Sequence, residues 1–192
     1  MTNGTHRWIR VEVPIEPLDP WTLLPPLQED GARLMAWSAP SKNVTFVAVG
    51  ALNECRPAGT SRFDDARTWW EPIANDMITL DANGTPVDHQ TPACVAGFAF
   101  RNDHNRSKEW VAWGDGALCI PEILVWSTGD KTVAVFTIDS RENDVDRHLL
   151  KLRAQLDGWV TRAHPQNSTV ANGQVEAHGA VDGAWEAWRS RV

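Results

Sequence analysis

Histidines and cysteines are the side chains of this 192-residue chain most readily suited to metal or nucleophilic chemistry. The six histidines show neither i, i+4 pairing nor another spacing typical of metal ligands. The three cysteines are odd in number and lack the paired spacing of a zinc site or a redox motif, which favours small core residues in a reducing compartment. These residues are His6, His89, His104, His148, His164, His178, Cys55, Cys94 and Cys119.

Paired acids and glycine-rich stretches give no stronger signal. Asp64 with Asp65, and the acids of residues 142–146, lie where helices are expected to begin, and carboxylates there commonly interact with the helix dipole. Residues 114–116 (Gly-Asp-Gly) are too short for a nucleotide-binding loop and predict a turn. The sequence therefore predicts no catalytic, cofactor-binding or metal-ligating residue.

The charge balance argues against nucleic-acid and membrane partners. The net charge is -7 and the isoelectric point is near 5.3, whereas anionic partners require a basic patch. The N-terminal residues carry no apolar signal core, and no apolar run approaches the roughly 20 residues of a membrane span. We therefore expect a cytoplasmic protein.

Eleven tryptophans and no tyrosine are unusual, and tryptophan can form stacking platforms for sugars or bases. Six of these tryptophans lie in apolar-periodic segments, where an indole more often contributes to a core or an interface. They are Trp37, Trp69, Trp113, Trp126, Trp159 and Trp185. We interpret them as packing residues.

Hydrophobic periodicity predicts an α+β fold, an antiparallel β-sheet with flanking helices. Strands are expected over residues 9–13, 33–37, 44–49, 94–100, 117–126 and 132–138. The sheet is expected to be antiparallel because these strands are joined locally. Gly129 and Asp130 fit a two-residue hairpin turn, and Pro121 implies an edge or a bulge.

Three helices are expected in the same region. A short one begins at Asp19-Pro20 and is stopped by Pro25-Pro26. A second begins with a capping-box-like pair, Ser61 and Asp64, and its apolar spacing continues to Met77. A third begins at Asp144 and carries an apolar stripe made of Val145, Leu149, Leu152, Leu156 and Trp159.

The chain is expected to divide into a β-rich domain over residues 1–140 and a helical connection over 141–192, with a linker near 164–180. A last amphipathic helix begins at Asp182 and places Trp185, Trp188 and Val192 on one face. It has neither a C-cap residue nor a following proline, so the chain is expected to be cut inside an element.

Four stretches together resemble the N-terminal region of isochorismate synthases, within the chorismate-utilising enzymes. Residues 35–50 resemble a tryptophan-bearing strand and its partner strand ending in glycine, and residues 62–70 resemble the following helix. Residues 95–100 resemble the family's Gly-Gly-Phe-x-Phe strand, with Ala96 in place of the first glycine, and residues 110–126 resemble the next strand pair. The match covers about residues 7–140.

The resemblance implies the reaction chorismate to isochorismate, a Mg²⁺-assisted addition of water, for menaquinone or catechol siderophore biosynthesis. In that family the lysine base and the Mg²⁺-holding glutamates follow this region, so they would lie beyond Val192. The resemblance thus implies a scaffolding part with no site residue and no cofactor of its own. Its partner would be a C-terminal catalytic domain, and chorismate would bind only the full enzyme.

Several alternatives stay open. Anthranilate and aminodeoxychorismate synthases share this architecture, but the Leu-Leu-Glu-Ser-like strand of their tryptophan pocket is Met-Ala-Trp-Ser at residues 35–38 here. Salicylate synthases are not separated by this region. From another class, the chain could be a free-standing binding module for an aromatic ligand or a catalytic partner, or a complete small enzyme with an unfamiliar site.

Overall fold

A computed structural model of the chain describes residues 7–88, 91–99, 114–141 and 144–163. Within these ranges the class is α+β, as predicted. The elements are β1 (Trp8–Ile15), α1 (Leu24–Glu29), β2 (Leu34–Ala39), β3 (Val44–Val49), β4 (Asn53–Cys55), α2 (Arg62–Asn75), β5 (Met77–Asp81), β6 (Val95–Phe98), β7 (Gly116–Ile120), β8 (Ile123–Thr128), β9 (Lys131–Asp139) and α3 (Val145–Ala163). Short 3-10 helices occupy Pro20–Leu23 and Pro40–Lys42.

The strands form two sheets. The larger has six strands in the order β2-β3-β8-β9-β1-β5, and the smaller has three in the order β4-β7-β6. Every neighbouring pair is antiparallel except β1 and β5, which are parallel from Trp8 opposite Met77 to Glu12 opposite Asp81. The expectation of a purely antiparallel sheet is therefore wrong at this edge, because the chain reaches β5 through the long crossover that ends in α2.

One face of the large sheet forms the main core. Alternate residues of its strands, such as Val11, Val47 and Phe136, point to this face and meet α1, α3 and the first 3-10 helix. From α3 the predicted apolar stripe contributes Leu149, Leu152, Leu156 and Trp159, all of them buried. Burying a leucine of this kind stabilises the fold by about 2 kcal/mol, so this stripe fixes α3 on the sheet.

The opposite face of the large sheet is covered in part by the small sheet and α2. Trp8 packs with Ile73 of α2 and Ile120 of β7. Nearer to β2, a second cluster joins Phe46 of β3 to Val95 of β6. The six-stranded sheet is thus the middle layer of the described structure, and β1 lies buried between two coverings.

The two prolines 25 and 26 begin a helix rather than ending one. Asp19 caps the 3-10 helix by accepting a hydrogen bond from the Trp21 amide at 3.1 Å, which confirms that start. The chain then continues directly into α1, whose first turn holds both prolines. Proline is favourable in a first turn because its missing N–H would have no helical partner there.

The second helix is shorter than its apolar spacing predicts. It ends at Asn75, and Met77 is the first residue of β5. The Asp76 carbonyl accepts a hydrogen bond from the Trp8 amide at 3.1 Å, so the chain is already turning along β1 at that point. Met77 therefore satisfies a helical period in the sequence while belonging to a strand.

The apolar run of residues 117–126 is two strands, β7 and β8, which belong to different sheets. Pro121 cannot donate a ladder hydrogen bond, and the chain changes sheets at Pro121 and Glu122. The Glu122 amide instead bonds to the Val49 carbonyl at 3.0 Å. The short strand β4 has no counterpart among the predicted elements.

Some sequence-based expectations concern segments outside the described residues. These are the linker near residues 164–180 and the helix from Asp182, so the division of the chain into domains stays a prediction. Trp159 is buried as expected, but Trp37 is 47% exposed, because β2 is the edge strand of the sheet. Trp113 and Trp185 lie outside the described ranges. No helix in those ranges is long and apolar enough to cross a membrane.

Candidate functional site

A cavity of about 240 Å³ lies between the two sheets, at the end of the large sheet where β2 begins and β3 finishes. Most of its lining is apolar and comes from both layers, and charged side chains complete it. The lining residues are Arg33, Leu34, Met35, Ala48, Gly50, Glu54, Arg56, Val95, Ala117, Leu118 and Cys119. This volume suits a molecule about the size of one aromatic ring with small substituents.

A pair of charged residues joins the two layers at this cavity. Both terminal guanidinium nitrogens of Arg33 donate to the carboxylate of Glu54, and the Nη2–Oε2 distance is 2.6 Å. These hydrogen bonds lower the pKa of the Glu54 carboxyl and raise the pKa of Arg33. Arg56 approaches the same carboxylate, with 3.7 Å between Nη2 and Oε2.

The Arg33–Glu54 ion pair holds the two layers in position but adds little to the stability of the fold. The side chain of Arg33 is 54% exposed and that of Glu54 is 33% exposed, so water and salt screen their attraction. An ion pair of this kind is worth about 0–1 kcal/mol.

The thiol in this cavity is poorly suited to nucleophilic chemistry. Burial raises the pKa of Cys119 and, in the neighbouring Cys94, raises it to about 12. A thiol attacks as its thiolate, which is scarce at neutral pH under these conditions. Cys55, Cys94 and Cys119 are each half-buried and free rather than fully buried, so the expectation of core cysteines holds only in part.

Gly50 lies where this cavity adjoins a groove beside α3, and it lines both. Its φ is +74°, a conformation that L side chains rarely adopt. A Cβ at this position would also lie 2.8 Å from the carboxylate carbon of Glu122, whose side chain runs across the glycine. The carboxylate of Glu122 has no ion-pair or hydrogen-bond partner that the described residues supply.

Arg10 forms a buried polar centre on the same face of the large sheet, further along β1. It is 1% exposed, and its guanidinium donates to the Thr79 hydroxyl, the Thr91 hydroxyl and the carbonyls of Thr91 and Pro92. Glu12 lies 3.7 Å away and accepts from the Thr91 hydroxyl. Desolvation lowers the pKa of Arg10 to about 10, against the opposing effect of Glu12. This network holds the segment before β6 onto β1.

Neither arrangement brings together the parts of an acid–base or metal site. In residues 7–88, 91–99, 114–141 and 144–163, no group of three histidine, cysteine, aspartate or glutamate side chains is placed to hold a metal ion. The interlayer cavity is apolar with the Arg33–Glu54 pair in its lining. At Arg10 the two terminal nitrogens donate to the protein's own acceptors, and the buried Nε has no hydrogen-bond partner among the described residues.

Comparison with known proteins gives the family. The family model described as chorismate binding enzyme matches residues 1–192. The chain belongs to the chorismate binding enzyme family. This confirms the family-level resemblance found in the sequence.

Among solved structures, this member of the family is similar to MenF, the menaquinone-specific isochorismate synthase from Escherichia coli. The sequences are 15% identical and the TM-score is 0.45. The alignment covers 88% of this chain and 30% of the MenF chain, so the chain spans about a third of that protein's length. No curated protein sequence matches the chain.

The polar residues noted in the sequence of this family member have local roles. Asp144 caps α3 by accepting from the Arg147 amide at 3.0 Å, as predicted. Ser61 donates to Asp65 at 2.8 Å and makes no side-chain cap, because its backbone is already helical. The capping box with Asp64 is therefore wrong.

The turn predicted at residues 114–116 agrees with Gly114, which has φ +63° and is followed by β7. Asp115 in that turn accepts from the Gly59 amide at 2.7 Å and joins it to the start of α2. His148 lies on α3, whereas His6, His89, His104, His164 and His178 are outside the described residues.

The sequence patterns did not single out Arg10 or Arg33 as residues of a polar site. Arg10 alternates with apolar residues along β1, a pattern that predicts a solvent-facing side chain, yet it is buried because this strand is covered on both faces. Arg33 and Glu54 are 21 residues apart and meet only through the topology of the two sheets. A charge at the start of a predicted strand, directly before an apolar run, was the available signal for Arg33.

Proposed function

We propose that this chain is the N-terminal scaffolding part of an isochorismate synthase, which converts chorismate to isochorismate with Mg²⁺ in menaquinone or catechol siderophore biosynthesis. The family match over residues 1–192 supports the substrate class. The motifs of residues 35–50 and 95–100 favour this reaction within the family. The catalytic groups, a lysine base and Mg²⁺-holding glutamates, would be supplied by another part of the enzyme.

The observation that carries the scaffolding role is how the described acids are used. Arg162 and Trp159 hold the pKa of Asp30 at about 2, and Arg141 with Arg7 does the same for Asp139. General acid–base catalysis works best with a pKa near the operating pH, so these carboxyls are poor proton-transfer groups. They are suited instead to fixing α3 and the end of β9.

The described structure offers shape rather than reactive groups. Its large sheet is buried by helices on one face and by the small sheet on part of the other. Such a rigid layered body can orient a catalytic part packed beside it, and exact placement of reacting groups is worth several kcal/mol of a reaction barrier.

The test has a biochemical and a genetic arm. The purified 192-residue chain is incubated with chorismate and Mg²⁺, and the products are separated by chromatography; we expect no isochorismate. The gene is then deleted in its own host, where we expect isochorismate-derived quinone or catechol to fall and to return with the wild-type gene. In the genetic arm the Val125→Asp variant serves as the unfolded control and should not restore these products, because it places a charge at a position 1% exposed.

Each arm can refute a different part of the proposal. Isochorismate formation by the purified chain would refute the scaffolding role. Unchanged isochorismate-derived products after deletion would refute the assignment to this reaction.

The interlayer cavity favours a second candidate, a non-catalytic module that binds a carboxylate carried on a six-membered ring. Its apolar lining would take a ring, and Arg33 would exchange its bond to Glu54 for one to the ligand carboxylate. Saturable quenching of tryptophan fluorescence by chorismate, weakened in Arg33→Gln but not in Arg67→Gln, would support this candidate. Arg67 is the matched control because it lies on α2 and is 72% exposed.

A further inference from the structure

The two edges of the six-stranded sheet differ. Beyond β5 the chain folds back along the strand: the Val87 amide donates to the Thr79 carbonyl at 3.0 Å, and Leu80 forms a bridge with Pro86. Along the outer side of β2, no described residue pairs with the strand. One edge is therefore closed by the chain itself, and the other is unpaired within residues 7–88, 91–99, 114–141 and 144–163.

The register of β2 and β3 identifies the backbone groups at the open edge. The Gly50 amide donates to the Arg33 carbonyl at 2.9 Å, so that pair is hydrogen-bonded and the pairs alternate from there. The amides and carbonyls of Leu34, Ala36 and Ser38 consequently face outward. The Ser38 and Thr45 hydroxyls are 3.1 Å apart, as expected where a pair has no backbone bonds and its side chains are close.

Nothing in the sequence of β2 protects this edge. Natural edge strands usually carry a lysine, a proline or a bulge, whereas Leu34–Ala39 has no charged residue and no proline. Its pairing with β3 is continuous over all six residues, without a bulge. Three outward amides and three outward carbonyls are therefore available to another strand.

An apolar strip leads to the same edge. Trp37 is 47% exposed, and its ring centroid lies 5.8 Å from that of Phe46. Phe46 in turn stacks on Trp126 at 5.7 Å, with an angle of 14° between the rings. A large apolar ring left exposed at an unpaired edge indicates a surface that is covered on association.

We propose that two copies of this chain associate through antiparallel pairing of their β2 strands, about a two-fold axis at Ala36. Leu34 then opposes Ser38 of the partner subunit, and Ala36 opposes Ala36 of the partner subunit. Every outward amide and carbonyl of the three residues obtains a bond, because a two-fold axis makes this short edge complementary to itself.

The same register pairs the exposed side chains. Trp37 opposes Met35 of the partner subunit at a position without backbone bonds, where cross-strand side chains are closest. A thioether against an indole is a favourable contact, and the aromatic strips of the two copies become continuous. The neutral strand brings no like charges together, although each chain carries a net charge of -7.

Sedimentation equilibrium of the full chain tests this proposal independently of any activity. We expect a dimer of the 21.4 kDa chain. Trp37→Lys should weaken the dimerisation constant at least tenfold, whereas Trp21→Lys should leave it unchanged. Trp21 is the matched control because it is 41% exposed and lies outside β2.

Amide exchange of the wild-type chain gives a second readout that does not depend on the folding of a variant. In the dimer the amides of Leu34, Ala36 and Ser38 should be protected, and dilution should make them exchange at least tenfold faster. A monomer at hundreds of micromolar would overturn the proposal. So would a dimer insensitive to Trp37→Lys, or a monomer in which these amides stay protected.

Discussion

Trp159 donates its indole N–H to the carboxylate of Asp30 over 2.8 Å, and so ties α3 to the end of α1. Arg162, one turn further along α3, donates two hydrogen bonds to the same carboxylate. The ring of Trp159 itself is 6% exposed in the main core. The side chain of Trp159 therefore takes part both in the main core, through its ring, and in the hydrogen bonds between α1 and α3, through its N–H.

Acid should weaken this connection in a defined pH window. Hydrogen bonds, first from Arg162 and then from Trp159, lower the pKa of Asp30 from 3.8 to about 2 in the folded chain. Above about pH 4 the carboxylate is ionised in both states and its stabilisation is fully present. Between about pH 4 and pH 2 the unfolded chain binds the proton first, so stability is lost as pH falls.

Asp30→Asn should therefore lose less stability than the wild type between pH 4 and pH 2, as measured by urea midpoints at each pH. Asp139→Asn should behave similarly, since the pKa of Asp139 is also about 2, chiefly through its hydrogen bond from Arg141. Asp130→Asn, in the exposed turn before β9, is the control and should follow the wild type. Identical acid sensitivity in Asp30→Asn would contradict the prediction.

Gly50→Ala should destabilise the chain more than Gly31→Ala. Both glycines have positive φ, +74° and +64°, so each substitution costs about 1–2 kcal/mol of backbone strain. Only at Gly50 would the new Cβ also meet the side chain of Glu122, at 2.8 Å, since Gly31 has open space. This flexible side chain can rotate away, so the additional loss should be smaller than the backbone strain. Urea denaturation should show the larger loss for Gly50→Ala.

The double variant Gly50→Ala with Glu122→Ala separates the two causes. Removing the Glu122 side chain should recover the steric part of the loss and leave the backbone strain. A loss in Gly50→Ala no larger than that in Gly31→Ala would show that the contact with Glu122 is of no consequence.

Strand β1 could be predicted because Ile9, Val11 and Val13 alternate with polar residues, and the longer apolar strands could be predicted as runs bounded by turn residues. Residues 44–49 were placed without error: Val47 and Val49 enter the main core, while Phe46 and Ala48 enter the cluster on the opposite face. Strand β5 was missed for a physical reason: it has only five residues and follows α2 after one residue, so Met77 also fits the period of the helix. Its parallel pairing with β1 depends on contacts 69 residues apart in sequence.

The candidate site was less predictable than the fold. Periodicity assigns a charged residue in a strand to the solvent, which holds for Arg33 at the sheet edge and fails for Arg10 in a strand covered on both faces. The pairing of Arg33 with Glu54 requires β4, a three-residue strand too short to show a period. Sheet topology, which local sequence does not encode, brought these residues together.

Arg10→Met should destabilise the chain by about 3 kcal/mol, the usual cost of removing one member of a buried charged network. The Thr91 and Pro92 carbonyls would lose their donor, and the Glu12 carboxylate would lose the positive charge 3.7 Å away. The measurement is the free energy of unfolding in urea. Arg67→Met, at a position 72% exposed, is the control and should change it by less than about 0.5 kcal/mol.

A readout specific to the network accompanies this loss. The segment around Thr91 should become more accessible to a protease in Arg10→Met, at denaturant concentrations where the chain remains folded. Unchanged protection of that segment would mean that Arg10 acts only through the general stability of the fold.

The cysteines should react slowly in the folded chain, and Cys94 slowest. Burial raises the pKa of its thiol to about 12, and raises the pKa of Cys55 and Cys119 as well. At pH 8 a thiol of ordinary pKa, about 8.5, is roughly a quarter ionised, so Cys94 should hold about three orders of magnitude less thiolate than an unfolded cysteine. Iodoacetamide labelling followed by peptide mass spectrometry, in buffer and in 8 M urea (roughly the limit of useful denaturant), measures the ratio. Labelling of Cys94 at the same rate in both would show that its sulfur is open to solvent. The thiol could then act as a nucleophile, contrary to the argument from its burial.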